Sequence, residues 1–266
     1  MPTRNQIDLV GKTMRVVEIL AESGESATLK EVALRVDLVK SSAFRILYSL
    51  KELGYVEHAA GKGAYRLTWK TLGLARRSIA RATLANVART QLTWARDQIW
   101  ESVWLAEWRQ NGAILVDVVE APQRLQLSLD VGSQCPLHAT AAGKAIAAHL
   151  PAKVLNTFLG RKKLPRFTER TITERGRLQE ELQKVRSRGY AVNQEETILG
   201  AILVGAPIFD ASGTVCGAVS ISLPTARSSG EKYKAMTECA VKAAKAITED
   251  LGNLGFHSAR KTLPVG

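Results

Sequence analysis

Only three cysteines, Cys135, Cys216 and Cys239, occur in 266 residues, and no two of them stand in a Cys-x-x-Cys spacing. A disulfide framework and a structural zinc site are therefore not expected. No apolar run reaches the roughly 20 residues a membrane-crossing helix needs. The opening Met1-Pro-Thr-Arg-Asn-Gln6 lacks the apolar core of a secretory signal. There is no internal repeat and no low-complexity stretch. These absences lead to the expectation of a soluble, cytoplasmic protein that needs no metal or other cofactor and touches no membrane.

Acidic residues are the deficient charge: 25 Asp and Glu face 37 Lys and Arg, a formal net charge of +12. Such a balance favours a polyanionic partner and says nothing of fold. The excess is not confined to one region, since residues 1–80 carry 13 basic against 8 acidic side chains and residues 81–266 carry 24 against 17. Much of the second share lies between Lys153 and Arg188 and reads as a solvated helical face.

What is present is a DNA-reading pattern. Thr28 and Glu31 have the spacing of a capping box, so a helix starts there, with Leu29, Val32, Ala33 and Val36 at helical intervals. Asp37 interrupts, and a second helix opens at Lys40 or Ser41, with Phe44, Leu47, Leu50 and Leu53 expected on its buried side. Its other side presents Lys40, Ser41, Ser42, Arg45, Tyr48 and Ser49, a set of hydroxyls and cations suited to base edges and phosphates. Strands over 55–57 and 64–67 then flank a Gly-rich turn that carries Lys62 at its tip, within reach of a backbone phosphate. Helix, helix and hairpin in this order predict a winged helix-turn-helix over residues 1–68, with double-stranded DNA as partner and Thr28, Lys40, Ser41, Ser42, Arg45, Tyr48, Ser49 and Lys62 as its candidate contacts.

The chain is too long for that device alone. Residues 69–96 contain no proline and a single glycine, Gly73, with apolar residues on more than one side. A continuous linker helix is predicted, packed against both its own wing domain and a second copy of the chain. Such a dimer would place two recognition helices about 34 Å apart, on successive major grooves. From residue 97 to 256 the rhythm changes to strands over 103–106, 113–119 and 125–130, and helices over 142–150, from Pro151 and over 173–188. Strands over 190–193, 201–209 and 215–222 follow, the last two joined by a turn at Asp210-Ala-Ser-Gly213, then a helix over 231–251. This is an α+β sheet covered by helices, followed by a frayed tail over 257–266. Ser220 and Ser222, two apart on a strand, face the same side. Thr140-Ala-Ala-Gly143 opens a helix, where free N–H groups at Ala141 and Ala142 can receive an anion.

Several blocks in order resemble the IclR-type (isocitrate lyase regulator) family of bacterial transcription factors over nearly the whole span from Leu9 to Phe256. They are Gly132-Ser-Gln-Cys-Pro-Leu-His-Ala-Thr-Ala-Ala-Gly-Lys-Ala145, Arg188-Gly-Tyr190, Glu195-Glu196, Gly200, Ala206-Pro-Ile-Phe-Asp210 and Ala218-Val-Ser-Ile-Ser222. The resemblance implies a winged-helix domain joined by a linker helix to a GAF/PAS-like effector domain, working as a homodimer or a homotetramer. It also implies control of an operon, by repression or activation, in response to a small metabolite such as a carboxylate or aromatic acid. In the family the face carrying Ser220 and Ser222 lines the effector cavity. Asn193 stands where the family usually has an acid or a serine, and Leu203 where it has a small or thiol residue. Those two differences would make the cavity less polar and favour a more apolar ligand.

Two other functional classes fit parts of the pattern. Cys135, His138 and Thr140 could form the nucleophile and base of a cysteine-dependent hydrolase or acyltransferase carrying an accessory DNA-binding domain, but no Asp or Glu is evident to orient the base. Glu195 and Glu196 would point to opposite faces if extended and could not act as a joint acid and base. A protein-interaction module would need neither the cap nor the recognition face.

Overall fold

The computed structural model describes residues 8–59, 63–79, 83–109, 112–123, 127, 129–160 and 163–258. The chain divides into two compact units, residues 1–81 and 82–266, each described by itself. No helix among the described residues is long and apolar enough to cross a membrane.

In the first unit α1 (Asp8–Glu22), α2 (Leu29–Val36) and α3 (Lys40–Glu52) pack with a three-stranded antiparallel sheet of β1 (Ala27–Thr28), β3 (Ala64–Leu67) and β2 (Val56–His58), in that order. The capping box is present in both arms. Thr28 Oγ1 accepts from the Glu31 N–H at 3.3 Å, and the Thr28 N–H donates to the Glu31 carboxylate at 2.7 Å. α2 ends at Asp37, in the left-handed region with φ 57°, which turns the chain sharply into α3. Val16, Ile19, Val32, Leu47 and Val56 form the centre of the core.

The buried stripe of α3 differs from the sequence expectation. Ala43, Ile46, Leu47 and Leu50 are inside, whereas Phe44 and Leu53 are exposed. Steps of three residues drift by about 60° each on a helix of 3.6 residues per turn. Four positions at such steps cannot stay on one face, and the i, i+3, i+4, i+7 set is the one that stays buried.

The expected continuous linker helix is two helices, α4 (Trp69–Ile79) and α5 (Leu84–Ile99). Thr83 is extended (φ −107°, ψ 155°) and its hydroxyl accepts from the Asn86 N–H, so α5 has its own N-terminus. That side-chain cap competes with helix continuation, as threonine does where its oxygen can reach a backbone N–H. The Lys70 ammonium meets the Leu53 carbonyl at 2.6 Å and lies over the Tyr55 ring, tying α4 to the wing.

The second unit is built on a five-stranded antiparallel sheet in the order β5 (Gly112–Val119), β4 (Val103–Arg109), β8 (Val215–Pro224), β7 (Ala201–Phe209), β6 (Ala191–Gln194). Every residue of the central strand β8 is buried, because helices cover both faces. Its odd-numbered residues Val219, Ile221 and Leu223 pack under α5 and α9 (Gly230–Asn253). Its even-numbered face, with Ala218, Ser220 and Ser222, is turned to α6 (Ala141–Ala147), α7 (Ala152–Leu159) and α8 (Arg175–Arg188). The stretch expected as a strand over 125–130 is not one at its described residues 127, 129 and 130. Leu127 and Leu129 turn inward to Leu203 and to the α6 cluster, so the alternation came from packing without strand pairing.

α6 approaches the sheet at Gly205 of β7. A Cβ there would lie 2.5 Å from the Ala141 carbonyl carbon and oxygen and 2.8 Å from the Ala142 nitrogen. The expected result is that Gly205→Ala forces the helix off the sheet and destabilises the second unit by about 1–3 kcal/mol. Gly176→Ala, in α8 with nothing within 4 Å, should be neutral or slightly stabilising. Urea unfolding of the two variants checks the contrast.

Candidate functional site

On the first unit, α3 begins after Val39 with no side-chain cap, and its first bonded amides are Ser42 and Ala43, both to the Val39 carbonyl. The Lys40 and Ser41 N–H groups are thus left outward at the positive end of a 13-residue helix, the geometry that receives a phosphate. Lys40 and Arg45 are exposed, and among the described residues neither side chain has a hydrogen bond or an acidic partner. Three arginines of the unit are neutralised: Arg35 pairs with Glu22, Arg66 with Glu57 at 2.8 Å and Arg15 with Glu18 at 3.0 Å. This difference between bare and paired cations cannot be read from sequence, since every one of these side chains is simply basic there.

The remaining predicted contacts divide. Ser41 is exposed and Ser42 half-buried, while Tyr48 is exposed and stands beside Phe44 with ring centroids 6.2 Å apart. Ser49 gives its proton to the Arg45 carbonyl at 2.9 Å, so it is not a free donor. Thr28 is occupied by its cap and donates to Glu31 at 2.8 Å. Its place is at the start of the first helix of the pair rather than on the reading face. Lys62 lies outside the described residues.

In the second unit the sheet register brings the predicted effector residues together. Asn193 pairs with Leu203 and Leu203 with Ser222, so these three form one row across β6, β7 and β8. The next row contains Gly205, Ser220 and Trp104. The start of α6 sits over Gly205, and neither the Ala141 nor the Ala142 N–H is engaged by another described residue. Ser220, Ser222, Leu203 and Trp104 are all buried. The Trp104 indole N–H points at Ser222 Oγ, 3.4 Å away. Ser220 Oγ is buried with no hydrogen-bond partner among the described residues. An unsatisfied buried hydroxyl costs about 1–3 kcal/mol. Trp104 was not anticipated as part of this group, and only the pairing of β4 with β8 reveals it.

Asn193 is bonded to its own chain. Its amide donates to Thr197 Oγ1 at 2.7 Å and its carbonyl accepts from the Glu196 N–H at 2.8 Å. Each of its two polar atoms thus has a partner in the loop over 195–200, which the side chain anchors. The same loop is held from α6 by the buried Lys144–Glu196 ion pair. Burial raises the Glu196 carboxyl above its ordinary range against the pull of Lys144. Glu195, with φ 60°, points elsewhere, to Arg170 and to the Gly200 N–H. The two glutamates have separate structural partners and form no acid–base couple.

A cleft of about 720 Å³ lies away from this group, at the far end of α6 against α7 and α8, with His149, Leu155, Gln179 and Arg186 in its walls.

The hydrolase arrangement is absent from the geometry. Burial pushes the Cys135 thiol up to about 12, so no thiolate forms near neutrality. The His138 ring nitrogen Nε2 is 2.8 Å from the Pro165 carbonyl and its ring stacks on Phe167. Burial also lowers its affinity for a proton.

Comparison with known proteins agrees with this layout. Residues 9–60 match the IclR helix-turn-helix domain, and residues 76–249 match the C-terminal domain of the bacterial transcriptional regulator IclR. The transcriptional repressor IclR of Escherichia coli K12 is 28% identical over 95% of this chain and 93% of its own length. The regulator KdgR of the same strain is 30% identical over 93% and 95%. The crystal structure of Thermotoga maritima IclR, at 28% identity, superposes with a TM-score of 0.76 over 93% of this chain and all of its own. These relatives are transcription regulators and not enzymes. With a winged helix-turn-helix followed by a helix-covered effector sheet, matched along almost its whole length, the chain belongs to the IclR family of DNA-binding transcriptional regulators.

Proposed function

We propose that this regulator holds operator DNA through the outer face of α3 and changes its grip when a small organic acid enters between the start of α6 and the sheet. The observation that carries the second half is the buried, unpartnered hydroxyl of Ser220. It stands across from Gly205, over which the free Ala141 and Ala142 N–H groups lie. A carboxylate there would satisfy all three donors. Because α6 has only seven residues, its dipole contributes little, typically about 0.3–1 kcal/mol. Ser220 and Ser222 with Trp104 and the apolar wall of Leu203 must supply most of the affinity. With Asn193 bonded to the loop, few polar groups converge here and the surrounding wall is apolar, which favours an aromatic or branched acid over a short dicarboxylate.

On the DNA side, Lys40, Ser41, Ser42, Arg45 and Tyr48 are the contacts that the exposure and charge of α3 support. Lys62 belongs with them by its place in the wing turn. Trp69 and Leu72 of α4 are 85% and 55% exposed in the single chain, and covering them is the argument for a homodimer. DNA as the partner places the protein in the cytoplasm.

Two outcomes are expected. Arg45→Ala should weaken binding to the protein's own upstream DNA by about 1–3 kcal/mol if it reads a base, with thermal unfolding unchanged. Equal affinity of the parent chain for that DNA and a scrambled duplex would contradict the reading, and a gel-shift titration measures both. Ser220→Ala should cost roughly 1.5–3 kcal/mol in affinity for the acid that releases the DNA while ligand-free DNA binding stays as in the parent. Calorimetry of the full chain against a panel of aromatic and aliphatic carboxylic acids identifies that acid. Undiminished affinity in the variant would place the pocket elsewhere.

A further inference from the structure

We propose that Phe44 is a specificity residue, reading the 5-methyl group of thymine in the major groove beside the hydrogen-bonding side chains of α3. The inference rests on the reading of α3 as the recognition helix and adds a readout that its polar residues cannot provide.

Phe44 is out of place as a core residue. At 100° per residue it lies about 110° from the middle of the buried stripe, and it is 48% exposed. The first unit's core closes without it, around Ile46, Leu47 and Leu50. It occupies the same outer surface as Ser41, Arg45 and Tyr48, in the N-terminal half of the helix, the part that meets base edges. Tyr48, 53% exposed and one turn on, stands against it with the rings tilted by 34°. That neighbour limits the phenyl ring's swing toward the C-terminal end of the helix. A half-exposed aromatic pair on an otherwise polar helix face is poorly hydrated and gains from being covered.

The chemistry then narrows what covers it. A phenyl ring neither donates nor accepts a conventional hydrogen bond, so it cannot use the donor and acceptor code of the bases. The apolar feature that the major groove presents at a base edge is the thymine methyl, and phenylalanine is among the side chains suited to meet it. Arg45, the next residue and free of any acidic partner among the described residues, is suited to the guanine edge. Together they would read a methyl and an acceptor pair by two independent forces.

The test uses the full chain and a duplex that it selects from a random DNA library. That duplex is remade with deoxyuridine in place of each thymidine in turn, which removes the methyl alone. Burying one methyl-sized group changes affinity about fourfold. The parent chain should lose about that factor at one thymine of each half-site. Phe44→Ala should bind the parent duplex correspondingly more weakly and show no further loss on the deoxyuridine duplex, while Phe44→Leu should keep part of the sensitivity. The parent chain's response to deoxyuridine needs no variant, so it stands even if Phe44→Ala unfolds. Indifference of the parent chain to every replacement would overturn the proposal. So would an equal deoxyuridine penalty in parent and Phe44→Ala, which would assign the methyl to another residue. Failure to select any duplex above the random pool would instead overturn the reading of α3 itself, and is distinguishable from both.

Discussion

The second unit depends on one close approach, the start of α6 against the backbone of β7 at Gly205. No side chain larger than hydrogen fits between them, so the helix lies on the sheet and not above a layer of side chains. That contact sets three things at once. It brings the Ala141 and Ala142 N–H groups to the row that contains Ser220. It carries Lys144 to the buried Glu196, which fixes the loop after β6. Through that loop it commits Asn193 to a structural role. Glycine at 205 is therefore a requirement of the candidate ligand site as much as of the packing.

Charge is treated differently in the two units. In the second unit two buried acids, Glu101 and Asp210, are each answered by more than one donor. Glu101 is 1% exposed and holds Arg227 and Lys232, with Nη2 and Nζ each 2.6 Å from its carboxylate. Asp210 accepts from Ser212, Thr214 and Ser258, which keeps its carboxyl well below the usual range and fastens the end of the described chain to the β7–β8 turn. Removing one member of such a buried pair strands the other, a loss of about 3–5 kcal/mol. On α3 the cations are left without partners, and their attraction is available to phosphate.

The parts legible in the sequence were those written by local rules. The Thr28–Glu31 box, the Asp210–Gly213 turn and the long helix near the C-terminus each depend on residues within a few positions of one another, and each stands where expected. The sharing of one face by Ser220 and Ser222 follows from strand geometry alone. What was hidden depends on distant partners. The break before Leu84 rests on a single threonine cap within an otherwise helical composition. Phe44 looked like core because a phenylalanine at a three-residue step fits a buried pattern, and only the filled core of Ile46, Leu47 and Leu50 excludes it. Trp104 joins the site through β4–β8 pairing across more than a hundred residues. The partners of Asn193 lie in a loop whose path no local pattern specifies.

The central claim is that DNA is read on one unit while a small acid is sensed at the α6–β7–β8 contact of the other. Amide hydrogen exchange on the full chain, with and without the carboxylic acid found to release its DNA, tests that claim most directly. The account predicts new protection at residues 141–145, 194–205 and 218–222, with the amides of α3 unchanged in the absence of DNA. Protection concentrated instead at the cleft around His149 and Arg186, with none at residues 141–145 or 218–222, would contradict it.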